Sequence, residues 1–308
     1  MSTATETFVH PALFYSGDAE YLAGTLPFIA DGLASGEPVA VAVPGDRVEL
    51  LRSALGPSAD RVRMMDMTVA GRNPGRIIPG VLRAFADQHQ TGHVRIIGEP
   101  IWPRRTADEY PACLRHEALI NHSFTGRTVT VLCPYDAAGL DPRVLEDAAR
   151  THPLLVDHDG TSESCRYAPD AVLDDCNQPL PTPQGADRFV IDATGLAGLR
   201  RVVAAFGQRQ GLSPGRADDL LLVLTELATN SIEHAGSLAT VFLGRVCDRV
   251  VCQVRDTGYI SDPLAGRHPA SQSQLRGRGL LLVNHLSDLV RGYTSPGETV
   301  TEVQFAIE

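Results

Sequence analysis

The chain has 308 residues, 43% of them hydrophobic, and a formal net charge of −10. That length suggests two domains with packed cores, and the acidic balance argues against a general nucleic-acid surface, which favours clustered basic residues. No apolar run is long enough to span a membrane and the N-terminus lacks a basic-then-apolar leader, so the expectation is a cytoplasmic protein. Six cysteines occur, none in a C-x-x-C pair, and reduced, mostly buried thiols are expected. Cys165 and Cys176 share an acidic stretch with His158, and a redox or metal role there is the minor reading.

Through the first half, short apolar runs at 12–15, 38–43, 62–67, 94–98 and 128–133 alternate with amphipathic stretches near 18–35, 46–55, 76–90, 105–122 and 141–150. Apolar strands between helices predict a parallel sheet covered on both faces, a doubly wound α/β domain. The turn after the first strand, Ser16-Gly17-Asp18, carries no Walker A loop. In such a sheet, ligands sit outside the carboxyl ends of the strands. Tyr15, Glu99, Trp102, Tyr135 and Asp136 lie at or just beyond those ends and are expected to line one apolar, aromatic pocket for a small molecule. The plainer alternative is that Trp102 plugs its loop as ordinary core. The phrases at 28–39, Gly98-Glu99-Pro100-Ile101-Trp102-Pro103, His116-Glu117-Ala118-Leu119 and Cys133-Pro134-Tyr135-Asp136 resemble the MEDS sensory domain over about 8–157. The resemblance implies a RecA-like or KaiC-like fold and a sensing role.

Residues 158–186 are acidic and proline-bearing, with Pro179, Pro181 and Pro183 near their end, and are expected to form a linker. No helical hairpin with an exposed histidine fits there, which argues against a histidine kinase. The second domain, 187–308, is expected to hold a strand at 189–192 and a helix at 196–210. A long helix, a hairpin turning at Asp248, a polar flexible segment at 257–276, a helix at 277–288 and two closing strands follow. Helices on one face of a mixed sheet make an α+β layer fold.

The long helix is the centre of that domain. Ser213 and Pro214 stand where a cap and a first helical residue belong, and Gly236 where a helix stops. Leu220, Val223, Leu224, Leu227 and Ser231 form one stripe; Glu226, Asn230, Glu233 and His234 form another. Alone, this pattern is that of any amphipathic surface helix. The order Glu226-x-x-x-Asn230-x-x-x-His234, then Asp256-Thr257-Gly258, then Arg276-Gly277-Arg278-Gly279-Leu280 is more specific. It resembles the GHKL ATP-binding (Bergerat) fold, and most closely its anti-sigma factor serine/threonine kinase branch.

The resemblance implies ATP and Mg²⁺ as cofactors. Asn230 would ligate Mg²⁺, Glu226 would be the general base, and Asp256 with Gly258 would take the adenine. Arg276, Gly277, Arg278 and Gly279 would surround the phosphates, while His234 is equally a helix-end cap. Ile260 departs from the pattern, which has a second glycine there, and puts lid geometry in doubt. The implied function is a signal-responsive anti-sigma factor that phosphorylates a serine or threonine of an antagonist protein. The alternative is a non-catalytic sigma-factor-binding protein gated by a ligand on the first domain. Implied partners are the sigma factor, the antagonist and a second copy of the chain in a homodimer.

Overall fold

The computed structural model describes residues 8–236, 238–268 and 278–307. The chain divides into two compact units, Met1–Cys176 and Asn177–Glu308.

The first unit opens with β1 (Pro11–Tyr15), α1 (Gly17–Ala34), β2 (Val39–Val43) and α2 (Gly45–Leu55). Next come β3 (Arg63–Asp66), a short α3 (Met67–Ala70), α4 (Arg83–Ala86) and β4 (Val94–Gly98). Then follow α5 (Tyr110–Ser123), β5 (Val129–Asp136), α6 (Pro142–Thr151), the hairpin β6 (Leu154–Asp157) and β7 (Gly160–Glu163), and α7 (Pro169–Cys176). The seven strands form one sheet in the order β3-β2-β4-β5-β1-β6-β7. All neighbours are parallel except β6 and β7. The fully buried run Val39–Val43 shows why: both faces are covered.

Three features differ from expectation. The helix expected at 76–90 is broken into 3-10, π and α turns, with Pro79 inside the π turn; a proline removes the N–H that a regular helix needs. The stretch expected as a linker supplies β7 and α7. A two-residue turn at His158-Asp159, with Gly160 after it at φ 126°, closes the β6–β7 hairpin. Val172 of α7 is fully buried against Leu114 and Ala118 of α5. The prolines at 179–183 belong to the second unit, where Gln253 Nε2 and Arg255 Nη2 donate to the carbonyls of Pro181 and Leu180.

The second unit contains β8 (Asp187–Ile191), α8 (Leu196–Arg209), α9 (Pro214–His234), β9 (Ala239–Val246) and β10 (Arg249–Asp256). It ends with α10 (Gly279–Leu286), β11 (Leu289–Ser295) and β12 (Glu298–Ala306). Its sheet, in the order β11-β12-β10-β9-β8, is antiparallel throughout rather than mixed. Leu199, Val203 and Phe206 of α8 and Leu220, Val223, Leu224 and Leu227 of α9 pack on Val241, Cys252 and Val303 of the sheet. This apolar layer sets the rotation of α9, and with it the direction of the polar stripe.

Among the described residues no helix is long and apolar enough to cross a membrane. None of the six cysteines is in a disulfide.

Candidate functional site

In the second unit the polar stripe of α9 meets the start of α10. Pro214 holds the first position of α9, and Gly236, at φ 59°, lies just past its end. Glu226 and Asn230 are one turn apart and half-buried. A Cβ placed on Gly279 would lie 2.8 Å from Glu226 Oε2 and 3.2 Å from Asn230 Nδ2. A side chain there would displace the Glu226 carboxylate and crowd the Asn230 amide, so glycine lets the first turn of α10 come this close with both groups in place. The first N–H groups of that helix have no acceptor within it and favour an anion. A carboxylate, a neutral amide oxygen and a helix start thus converge on one spot. Those residues suit a phosphate-bound Mg²⁺, which takes oxygen ligands.

Asp256 ends β10 against the C-terminal part of α9. Its Oδ2 accepts from Ser231 Oγ at 2.6 Å and its Oδ1 from the Gly258 N–H at 2.7 Å. Ser231, expected as part of the apolar stripe, therefore orients the carboxylate from the buried edge of α9. Gly258 is needed for space: a Cβ would stand 2.9 Å from Ala235 Cβ at the end of α9. The loop that follows is held by two threonines. Ile260 N–H donates to Thr294 Oγ1 at 3.0 Å, the two hydroxyls are 2.9 Å apart, and Thr299 Oγ1 donates to Gly258 O at 3.0 Å. Ile260 does not have a positive φ. The missing glycine at that position thus costs no left-handed strain in this chain.

Arg278 caps α10 and is exposed, as is His234 in the last turn of α9. Arg276 and Gly277 lie outside the described residues. In the segment after Gly258, expected to be polar and flexible, Tyr259 and residues 261–263 are exposed, and the chain is anchored further on. Leu264 and Arg267 are buried, and Asn284 Nδ2 donates to Gly266 O at 3.2 Å.

Of the residues expected to line one sensor pocket in the first unit, Tyr15, Glu99 and Asp136 lie on one face of the sheet and Tyr135 on the other. In parallel register Tyr15 pairs with Asp136 and Phe14 with Tyr135, so Tyr15 and Tyr135 point to opposite faces. Tyr15 faces α1: its ring meets Tyr21, its hydroxyl donates to Glu99 Oε1 at 3.2 Å, and the Arg47 guanidinium lies over both rings. Glu99 is 2% exposed. Burial pushes its pKa up to about 8 against the opposing pull of Arg47 and Tyr15. Tyr135 faces the other way and meets Phe14 and His152. Asp136 caps its own loop, accepting the N–H groups of Ala138 and Gly139. Trp102 is partly buried under Arg105, whose guanidinium sits 3.9 Å from the ring and donates to the carbonyls of Gly71, Arg72 and Pro100.

The sequence reading missed a second cluster on that other face. His10, Glu117, Cys133 and His152 are all fully buried and within 4.8 Å of one another. Glu117 and Cys133 sit inside the two phrases quoted above, but nothing in their spacing pairs them with His10 or His152.

Comparison with known proteins agrees with this division. The family model described as the methanogen/methylotroph DcmR sensory domain, MEDS, matches residues 9–153. The histidine kinase-like ATPase domain matches residues 189–306. No curated protein matches the chain. Among solved structures, the histidine kinase AdeS of Acinetobacter baumannii aligns over 46% of this chain and 79% of that one at 12% identity. Its TM-score of 0.24 is too low to carry an argument. The chain joins a MEDS sensory domain to a GHKL-type, histidine kinase-like ATPase domain, a type that implies ATP binding.

Proposed function

We propose that the chain is a signal-responsive anti-sigma regulatory factor. In this reading the second unit binds ATP with Mg²⁺ and phosphorylates a serine or threonine of an antagonist protein, and the first unit, RecA-like and doubly wound, senses a small molecule. The observation that carries it is the convergence of Glu226, Asn230 and the start of α10 at Gly279. Asn230 would give its amide oxygen to the metal. Glu226 would take the proton from the attacking hydroxyl while oxygen bonds to the γ-phosphorus and ADP departs with the broken bond. Asp256, already oriented by Ser231, has a lone pair left on each oxygen for an amino group. The sigma factor, the antagonist and a homodimer are the partners that follow.

The test is phosphotransfer from labelled ATP to purified candidate antagonists. Wild type should transfer label, and Glu226→Gln should lose transfer by about 10²–10⁴-fold with ATP affinity nearly unchanged, because a general base acts in the transition state. If wild type binds ATP and a sigma factor yet labels no antagonist, the chain acts by sequestration instead.

A further inference from the structure

The first unit holds a set of four buried donors that its proposed sensing role does not use. His10 precedes β1, Glu117 lies midway along α5, Cys133 is on β5, and His152 closes α6. Four separate elements therefore deliver one side chain each to one point. His10 Nε2 is 3.3 Å from Cys133 Sγ and 3.4 Å from Glu117 Oε2, and His152 Nε2 is 3.3 Å from the same oxygen. The two imidazole centroids are 4.0 Å apart.

The outward-facing nitrogens decide what the inward-facing ones can do. His10 Nδ1 lies 3.1 Å from Asn121 Oδ1. The Asn121 amide cannot be turned over, because its Nδ2 donates to the carbonyls of Thr151 and Ala118. So Nδ1 of His10 carries a hydrogen. His152 Nδ1 lies 2.9 Å from Ala148 O, which can only accept, and so carries one too. In neutral rings both Nε2 atoms then present lone pairs to a carboxylate oxygen. Both Glu117 oxygens and His152 Nε2 also lack an aligned hydrogen-bond partner, although they approach within 3.3 Å. A fully buried carboxylate facing lone pairs is costly unless a cation lies between them.

We propose that His10 Nε2, Glu117, Cys133 Sγ and His152 Nε2 form a closed, four-coordinate site for a divalent transition ion of the zinc class. Bonds of about 2.0–2.3 Å to such an ion put tetrahedral donors about 3.3–3.8 Å apart. The three measured separations fall at the short end of that range. The mixed N, O and S set suits zinc rather than magnesium or calcium, which take oxygen. Charge also balances: a divalent cation with one carboxylate and one thiolate is neutral, as a site with no solvent contact requires. Asn121 and the Ala148 carbonyl hold the two rings as outer partners of metal-bound histidines do. Binding forms the metal–sulfur bond and sends the Cys133 proton to solvent. With four protein ligands no position is left for substrate, so the ion cross-links the unit. The exposed Asp157, His158 and Asp159 group, by contrast, needs no ion to be satisfied.

The full chain, expressed without a metal-binding tag and kept reduced, should hold about one equivalent of zinc. Stripped with chelator and refilled with Co²⁺, it should show tetrahedral visible bands and a thiolate-to-metal charge-transfer band. X-ray absorption of the zinc form should find one sulfur and three lighter neighbours. Cys133→Ser should remove the charge-transfer band, and Asn121→Ala should weaken affinity about 10–100-fold. His158→Ala should change neither. Folded wild type that takes up neither ion from excess, or that binds one without a sulfur neighbour, overturns the proposal. So does loss of the ion in His158→Ala. The absorption measurement on wild type decides the matter even if the Cys133 variant does not fold.

Discussion

Two buried glutamates in the first unit, on opposite faces of one sheet, are driven in opposite directions. Glu99 is 2% exposed and Glu117 fully buried, so burial raises both. At Glu99 it prevails: Arg47 and Tyr15 pull the other way, Asp46 and Asp136 add to the rise, and the carboxyl stays protonated to about 8. At Glu117 the imidazoles of His10 and His152, 3.4 and 3.3 Å from Oε2, outweigh burial and hold the carboxyl well below the usual carboxylate range. What decides is what faces the group: phenols and a partly solvated arginine in one case, two imidazoles in the other.

The largest way to break this contrast is to remove Glu117. Glu117→Ala leaves two imidazoles and a thiol buried without their counter-group and should destabilise the first unit by about 3–5 kcal/mol. Trp102 is the chain's only tryptophan and lies in this unit, so urea unfolding followed by its fluorescence reads the loss directly. A change below about 1 kcal/mol would show that the cluster holds nothing together.

A third carboxylate, Asp256 of the second unit, sharpens the comparison because donors already satisfy it from inside. Asp256→Ala removes the acceptor of Ser231 Oγ and the Gly258 N–H. ATP binding to the full chain should weaken by about 1.5–3 kcal/mol by calorimetry, the usual size of a contact to a charged group. Unchanged affinity would sink the nucleotide assignment of this loop.

The signals that could be read ahead of the structure were local ones. Ser213, Pro214 and Gly236 bracket α9, and its apolar period gives the buried face, so Glu226 and Asn230 emerge on the polar side as expected. The apolar runs mark β1, β2, β4 and β5 to within a few residues at each end. Non-local facts were not legible. β5 runs on through Pro134, and its strict alternation puts Tyr135 and Asp136 on opposite faces, which divides the expected pocket. The Asp159-Gly160 dipeptide at the edge of the His158-Asp159 turn was available as a hairpin signal, but the prolines beyond it masked the pattern. The His10, Glu117, Cys133 and His152 cluster depends on four elements meeting, and no spacing within the chain encodes that.

Glu99 gives the next effect. Its ordinary value of 4.5 rises to about 8 in the fold, so the folded state binds the proton more tightly than the unfolded chain. That contribution to stability is complete below the unfolded value and is lost as pH rises towards 8. His10 runs the other way: with its pKa lowered from 6.5 to about 4, its contribution grows only up to about pH 6.5. Between pH 6.5 and 8 Glu99 is therefore left to act, and the first unit should lose about 2 kcal/mol. Glu99→Gln should flatten that slope while keeping an acceptor for Tyr15 Oη. A slope that survives the substitution would assign the titration to another group.

The smallest effect concerns how the second unit holds its loop. Asn177, the first residue of that unit, matches the outward backbone of Thr294 on the edge strand β11. Its Nδ2 donates to Thr294 O at 2.8 Å and its Oδ1 accepts the Thr294 N–H at 3.0 Å. The side-chain amide thus covers an open sheet edge. The same threonine's hydroxyl accepts the Ile260 N–H and must pass its own hydrogen to Thr299, because Thr299 donates to Gly258 O. One residue at the edge is therefore tied to the loop after Asp256 by a chain of single hydrogen bonds. Asn177→Ala should cost about 0.5–1.5 kcal/mol in the stability of the second unit. It should also speed amide exchange at Ile260 while β12 stays protected. Thr294→Val, which removes the acceptor but keeps the shape, should speed Ile260 exchange more. If Thr294→Val accelerates Ile260 and Asn177→Ala does not, the loop is held by the threonines alone and the edge clamp only caps the sheet.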